Sequence, residues 1–151
     1  NNDDPEKTIK RLNSDAMLKQ FSLNALGPAL VLKHIHKLIP KNRPCHVIVL
    51  SARVGSITDN HLGGWISYRT AKAALNQILR TSAIEIKRTH PNACLLAVHP
   101  GTVDTEMTKN YTTHPRVSSQ KAANDIINLT KTLDAQDSGK FFDWAGKIIP
   151  W

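Results

Sequence analysis

Aromatic residues make up only 5% of this chain, too few to interleave with basic residues as a nucleic-acid surface requires. The 20 Lys and Arg, set against 12 Asp and Glu for a formal charge of +8, are also scattered, at Lys7, Lys10, Arg11, Lys33, Lys37, Lys41, Arg43, Lys87 and Arg88 among others. They read as solvated faces, and no nucleic-acid partner is expected. Cysteine is limited to Cys45 and Cys94, whose separation excludes both a paired metal knuckle and a dense disulfide framework. Reduced thiols and a cytoplasmic location are the simplest expectation. His34 and His36 are two apart and point away from each other on a helix, and His61, His99 and His114 are isolated, so no metal site is expected. A membrane helix needs about 20 apolar residues. The longest candidate, from Phe21 to Ile39, is broken by Asn24, Pro28, Lys33, His34, His36 and Lys37, so no membrane association is expected. The opening Asn1-Asn-Asp-Asp-Pro5 has neither region of a secretory signal.

What is present suits a single core. In 151 residues, 40% are hydrophobic and 21% charged, the balance of one ordinary globular domain. Asn13, Ser14 or Asp15 can cap a helix running to about Ile39, with Met17, Leu18, Phe21, Leu26, Leu30 and Val31 on its apolar face. Gly27-Pro28 should bend or split that helix. His46-Val-Ile-Val-Leu50 and Ala93-Cys-Leu-Leu-Ala-Val98 lack polar alternation, as strands buried on both faces do. A helix from about Ser67 to Arg88 separates them. Residues 99 to 116 form a polar loop, a helix follows from Ser118 or Ser119 to about Leu133, and Lys140 to Trp144 is a last strand. Such alternation predicts an α/β fold with a parallel sheet covered on both faces. Ligands bind such sheets beyond the carboxyl ends of the strands, which selects the loops at 51–64 and 99–116.

Tyr68 and Lys72 stand four residues apart at the start of the 67–88 helix, on one face and one turn from each other. A free phenol titrates near pH 10. A neighbouring ammonium and the positive end of a helix both favour the phenolate, so such a tyrosine can exchange a proton with a carbonyl or alcohol. A Tyr-x-x-x-Lys pair also arises by chance, and alone it is a weak signal.

Its surroundings are more specific. A buried strand, Ser51, a glycine-bearing loop and then Ser67-Tyr-Arg-Thr-Ala-Lys-Ala-Ala-Leu-Asn76 resemble the short-chain dehydrogenase/reductase family. Phe21-Ser-Leu-Asn-Ala-Leu-Gly27 looks like that family's asparagine-bearing helix, and Val98-His-Pro-Gly-Thr-Val-Asp-Thr105 like its Pro-Gly-x-x-x-Thr loop. Ser-Ala-Arg-Val-Gly-Ser-Ile-Thr-Asp-Asn from Ser51 and Gly-Lys-Phe-Phe-Asp-Trp from Gly139 are similar to its C-factor-like branch. The resemblance covers nearly the whole chain. It implies a Rossmann-type, doubly wound parallel sheet and hydride transfer between NAD or NADP and a small carbonyl or alcohol. Tyr68 would be the acid/base, and Lys72 would tune it and hold the nicotinamide ribose. The Asn24 backbone would hold a relay water. Pro100, Gly101, Val103 and Thr105 would line the nicotinamide pocket. A homodimer or homotetramer paired through the 14–39 and 67–88 helices is implied as well, and Trp65, Ile66, Met107 and Tyr111 flank the expected site.

Two departures matter. The family carries consecutive serines where this chain has Ser51-Ala52, so either Ser51 or Ser56, respectively 17 and 12 residues before Tyr68, would have to polarise the substrate; Ser51 is the expected one. The seven glycines, at 27, 55, 63, 64, 101, 139 and 146, build no Gly-x-x-x-Gly-x-Gly turn for a pyrophosphate. The expectation is therefore the C-terminal, catalytic half of the fold, starting just before its fourth helix, with the N-terminal dinucleotide-binding half absent and no turnover by this chain alone. The alternative is a non-enzymatic signalling or interaction fragment like a processed C-factor.

Overall fold

The sheet has three parallel strands in the order β1 (Cys45–Leu50), β2 (Ala93–His99) and β3 (Phe141–Asp143). The computed structural model describes residues 5–109 and 115–151; Tyr111, His114 and the side chain of Met107 lie outside that description. β1 and β2 pair from Cys45 opposite Ala93 to Leu50 opposite Val98, and β3 joins β2 with Asp143 opposite His99. All three strands therefore end at one edge.

Alternation along the strands makes two cores. Val47, Leu95, Ala97 and Phe141 face Leu32 and Ile39 and the long helix residues Leu79 and Ala83. Cys94, Leu96, Val98 and Phe142 face the opposite way, onto Leu129. Leu95 and Leu96 are both fully buried, each contributing about 2 kcal/mol relative to exposure. The expected two-sided α/β sheet is what these clusters form. The first face is covered by α2 (Gly27–Ile35) and α3 (Ile66–Lys87), with α1 (Ser14–Phe21) packed against α3, and the second face by α4 (Ser119–Thr130). The two crossovers step the same way along the sheet but over opposite faces, so they cannot share one hand.

Local chemistry sets the helix ends. The Asn13 side chain accepts the Ala16 N–H at 3.0 Å and caps α1, and Ser118 accepts the Lys121 N–H at 3.2 Å to cap α4. The expected break near Gly27-Pro28 is a π turn over Ser22–Leu26 between α1 and α2. Pro28 has no N–H, so the Asn24 carbonyl loses its helical donor, and the chain widens there instead of continuing as an α-helix. α2 stops at Ile35, short of the expected Ile39. Among the described residues no helix is long and apolar enough to cross a membrane, and no group of His, Cys, Asp or Glu could hold a metal ion.

Candidate active site

The carboxyl ends of β1 and β2 meet the first turn of α3. Lys72 is buried in α3, and its Nζ donates to the Leu50 carbonyl at 3.1 Å, which ties the helix to the end of β1. Burial pushes the Lys72 ammonium below the usual lysine range. Its Nζ lies 5.8 Å from the centre of the Tyr68 ring. One turn before Tyr68, Trp65 meets the same ring edge-on, with centroids 6.3 Å apart and planes at 67°. Trp65, Tyr68 and Lys72 thus form one stripe along the helix start. The spacing of Tyr68 and Lys72 alone predicted that shared face.

Trp65 has a φ of 54°, in the left-handed region, directly after Gly63 and Gly64 at φ 66° and 65°. For a bulky residue such a conformation costs about 1–3 kcal/mol. It persists because the turn is held from outside. The Trp65 N–H donates to the Glu6 carbonyl at 2.6 Å. The Ser67 N–H and hydroxyl donate to Glu6 Oε1 at 2.6 and 2.5 Å. Burial raises the Glu6 carboxyl, but hydrogen bonds from the Ser67 hydroxyl, the Ser67 N–H and its own N–H outweigh this and hold it below its ordinary value. Glu6 lies 61 residues before Ser67, and nothing in the local sequence announces it.

Asn24 sits in the π turn, with its side-chain amide donating to Gln20 Oε1 at 2.8 Å and to the Gln20 carbonyl at 3.2 Å. Its side chain is thereby engaged within the helix, while Pro28 stands where an α-helix would supply the N–H to its backbone carbonyl.

The two serines are both turned to internal partners. Ser51 is buried, and its hydroxyl donates to Asn76 Oδ1 at 2.6 Å. Asn76 in turn donates to the Gly55 carbonyl at 3.3 Å. Ala52 is extended (φ −141°, ψ 144°), so strand alternation continues and sends its methyl to the other side. Ser56, also buried, donates to the Pro150 carbonyl at 2.5 Å, and Thr58 holds the Trp151 carbonyl through both its N–H and its hydroxyl. The Pro150-Trp151 segment straps the loop after β1. Asn76 lies on the same α3 face as Lys72, four residues on, and that spacing was the signal for a buried polar partner.

Beyond β2, Gly101 has a φ of 81° and faces the Trp144 indole, which an added Cβ would meet at 3.0 Å. Val103 bridges to Val117, and Thr105 forms a capping box with Thr108 over the short turn Glu106–Thr108. Pro100, Gly101, Val103 and Thr105 thus share one loop at the carboxyl edge. The neighbouring His99 has a buried Nδ1 without a hydrogen-bond partner among the described residues. Burial, then the Arg53 charge, push its imidazole down to about 4 against a smaller opposing effect of Asp143, so it is neutral at pH 7. Arg53 itself bridges Asp59 and Asp143, each at 3.1 Å.

The sequence profile of the short chain dehydrogenase family matches residues 4–116. The chain is 31% identical over 144 residues to the 1-hydroxy-2-glutathionyl-2-methyl-3-butene dehydrogenase of a Rhodococcus strain, covering 95% of this chain and 62% of that protein. It is 33% identical over 135 residues to C-signal of Myxococcus xanthus, covering 89% of this chain and 78% of that one. Its fold is similar to that of the NADPH-bound carbonyl reductase from chicken fatty liver, with a TM-score of 0.84 at 28% identity, over 97% of this chain and 61% of the other. The chain therefore spans about three-fifths of the dehydrogenase and of the reductase. With a parallel sheet, a Tyr-x-x-x-Lys helix at its carboxyl edge and this profile match, the chain belongs to the short-chain dehydrogenase family.

Proposed function

We propose that residues 1–151 are one domain, the catalytic and substrate-side half of an NAD(P)-dependent oxidoreductase acting on a small or medium carbonyl or alcohol. The observation that carries this is the Tyr68–Lys72 pair, with Lys72 buried against the end of β1 and its ammonium beside the Tyr68 ring. Tyr68 donates a proton to the carbonyl oxygen in reduction and takes it back in oxidation. The Lys72 ammonium stabilises the phenolate left behind, and the Asn24 carbonyl, without its helical donor, accepts from a water that returns the proton to solvent. A nicotinamide cofactor supplies or accepts the hydride. The residues present fit its nicotinamide end: Lys72 for the ribose, and Pro100, Gly101, Val103 and Thr105 for the ring and carboxamide, gathered on the loop that follows β2 at the carboxyl edge of the sheet. The sequence has no glycine-rich turn for the pyrophosphate. The carbonyl reductase of similar fold binds NADPH, which supports the same cofactor class here.

Ser51 enters this mechanism as the anchor of α3, through Asn76. Ser51→Ala would leave Asn76 Oδ1 buried and unpaired, at a cost of about 1–3 kcal/mol. A lower melting temperature with kcat little changed is the expected result; loss of kcat in a stably folded variant would instead assign its hydroxyl to the substrate. A homodimer or homotetramer through α1, α2 and α3 belongs to the same proposal, supported by the exposed Leu23, Leu30 and Val31. So does a cytoplasmic location, supported by two free cysteines. The test is cofactor oxidation by the complete protein with NADPH and NADH over a panel of aldehydes and ketones. Turnover with any of them supports the assignment. A folded protein that neither binds nor oxidises either cofactor would leave the second possibility, a non-enzymatic signalling or interaction fragment; its support is the likeness to a protein named C-signal.

A further inference from the structure

We propose that Glu6 is a positioning residue for the catalytic helix: it locks the left-handed turn in front of α3 and so places the Trp65 indole as the wall that selects ring-bearing, apolar carbonyl substrates at Tyr68. This rests on the assignment of Tyr68 as the acid/base.

Three contacts meet at Glu6. Its carbonyl receives the Trp65 N–H, and one carboxylate oxygen receives both the N–H and the hydroxyl of Ser67. Trp65 is therefore gripped on its own backbone and, two residues later, on the first turn of the helix. The approach is close: a Cβ on Gly64 would lie 3.2 Å from the Lys7 carbonyl oxygen, so the segment at 6–7 rests on the turn without room for a side chain between them. Trp65 is the described non-glycine residue with a positive φ, and a backbone of that kind survives where its surroundings over-determine it. What the turn presents is the indole, edge-on to the Tyr68 ring. A carbonyl oxygen close enough to take the Tyr68 proton carries its substituents past that indole, and a flat apolar group gains most from such a wall. Ser67 is buried and bonded to Glu6; the part of the turn that meets the Tyr68 ring is the Trp65 indole, held in place by a residue far from it in sequence.

The test compares Glu6→Ala with Glu6→Gln. Glutamine keeps a carbonyl oxygen for the two Ser67 donors; alanine loses both Ser67 bonds and keeps only the backbone carbonyl that receives the Trp65 N–H. In the complete protein, Glu6→Ala should raise KM for an aryl ketone by about tenfold with kcat little changed, leave KM for a short aliphatic aldehyde near its original value, and be rescued by Glu6→Gln. Equal KM changes for both substrates, or a glutamine variant as impaired as alanine, would overturn the proposal. A second measurement needs no turnover. With Trp144→Phe and Trp151→Phe, Trp65 is the remaining tryptophan, and its emission reports the wall directly. Glu6→Ala should shift that emission to the red and open it to acrylamide, and Glu6→Gln should not. Unchanged emission in the folded alanine variant would sink the clamp, whatever became of Tyr68. If the indole responds as expected while Tyr68→Phe keeps full activity, the clamp stands as geometry but its role at a substrate site is overturned.

Discussion

Tyr68→Phe is expected to lower carbonyl reduction by about 10²–10⁴-fold, the range a positioned general acid contributes, while leaving the fold and cofactor affinity intact. The substitution removes one oxygen from a half-buried side chain and keeps the ring. The edge contact with Trp65 and the approach of the Lys72 ammonium to the ring face both survive it. What disappears is the proton for the developing alkoxide. Loss should therefore appear in kcat and kcat/KM alike, the signature of an interaction made only in the transition state. Steady-state kinetics in both directions, with circular dichroism as the control on folding, would measure it. Near-normal turnover would remove Tyr68 from the mechanism and with it the proposed reaction.

Gly55→Ala is expected to damage stability and activity together. Gly55 is buried in the short turn after β1, and its backbone torsion is one that any residue can adopt, so space alone decides. A Cβ there would stand 2.8 Å from Lys72 Cβ and 2.9 Å from the Lys72 carbonyl carbon. The latter belongs to a helical backbone and cannot swing aside, so either the loop lifts or α3 moves. Overpacking of this kind costs about 3 kcal/mol, or about 10 °C in melting temperature for a domain of this size. Because the obstructed residue is Lys72, the displacement falls on the proposed Tyr68–Lys72 pair, and kcat should drop further than the loss of folded protein explains. The Asn76 bond to the Gly55 carbonyl would be strained in the same step, carrying the effect to Ser51. A thermal melt beside kinetics at a temperature where the variant is folded separates the two effects. An unchanged melting temperature would mean that the loop yields freely and that its packing on α3 is unimportant.

Much of this protein could be read from its residues in order. The strands announced themselves as unbroken β-branched and apolar runs, and the helices as three- and four-residue repeats, because each signal is carried by neighbours in sequence. Pro28 marked the break in the first helix for an equally local reason, a missing N–H. Tyr68 and Lys72 share a face by helical geometry alone. The direction of the Ser51 hydroxyl was a different matter. The sequence offered it as the substrate's partner, and the folded chain gives that hydroxyl a bond to Asn76, 25 residues on, that no local pattern announced. Glu6 reaches Ser67 across 61 residues, Arg53 reaches Asp143 across 90, and Ser56 reaches Pro150 across 94. A hydrogen bond spanning such distances leaves no periodicity and no motif behind. The residues by themselves thus determined the order of elements and the shared helix face of Tyr68 and Lys72, since both follow from backbone geometry over a few residues. Only the tertiary structure decided which hydroxyls are committed, how closely Gly55 approaches α3 and what holds Trp65 against Tyr68, because each of those is settled by parts of the chain that meet solely when it is folded.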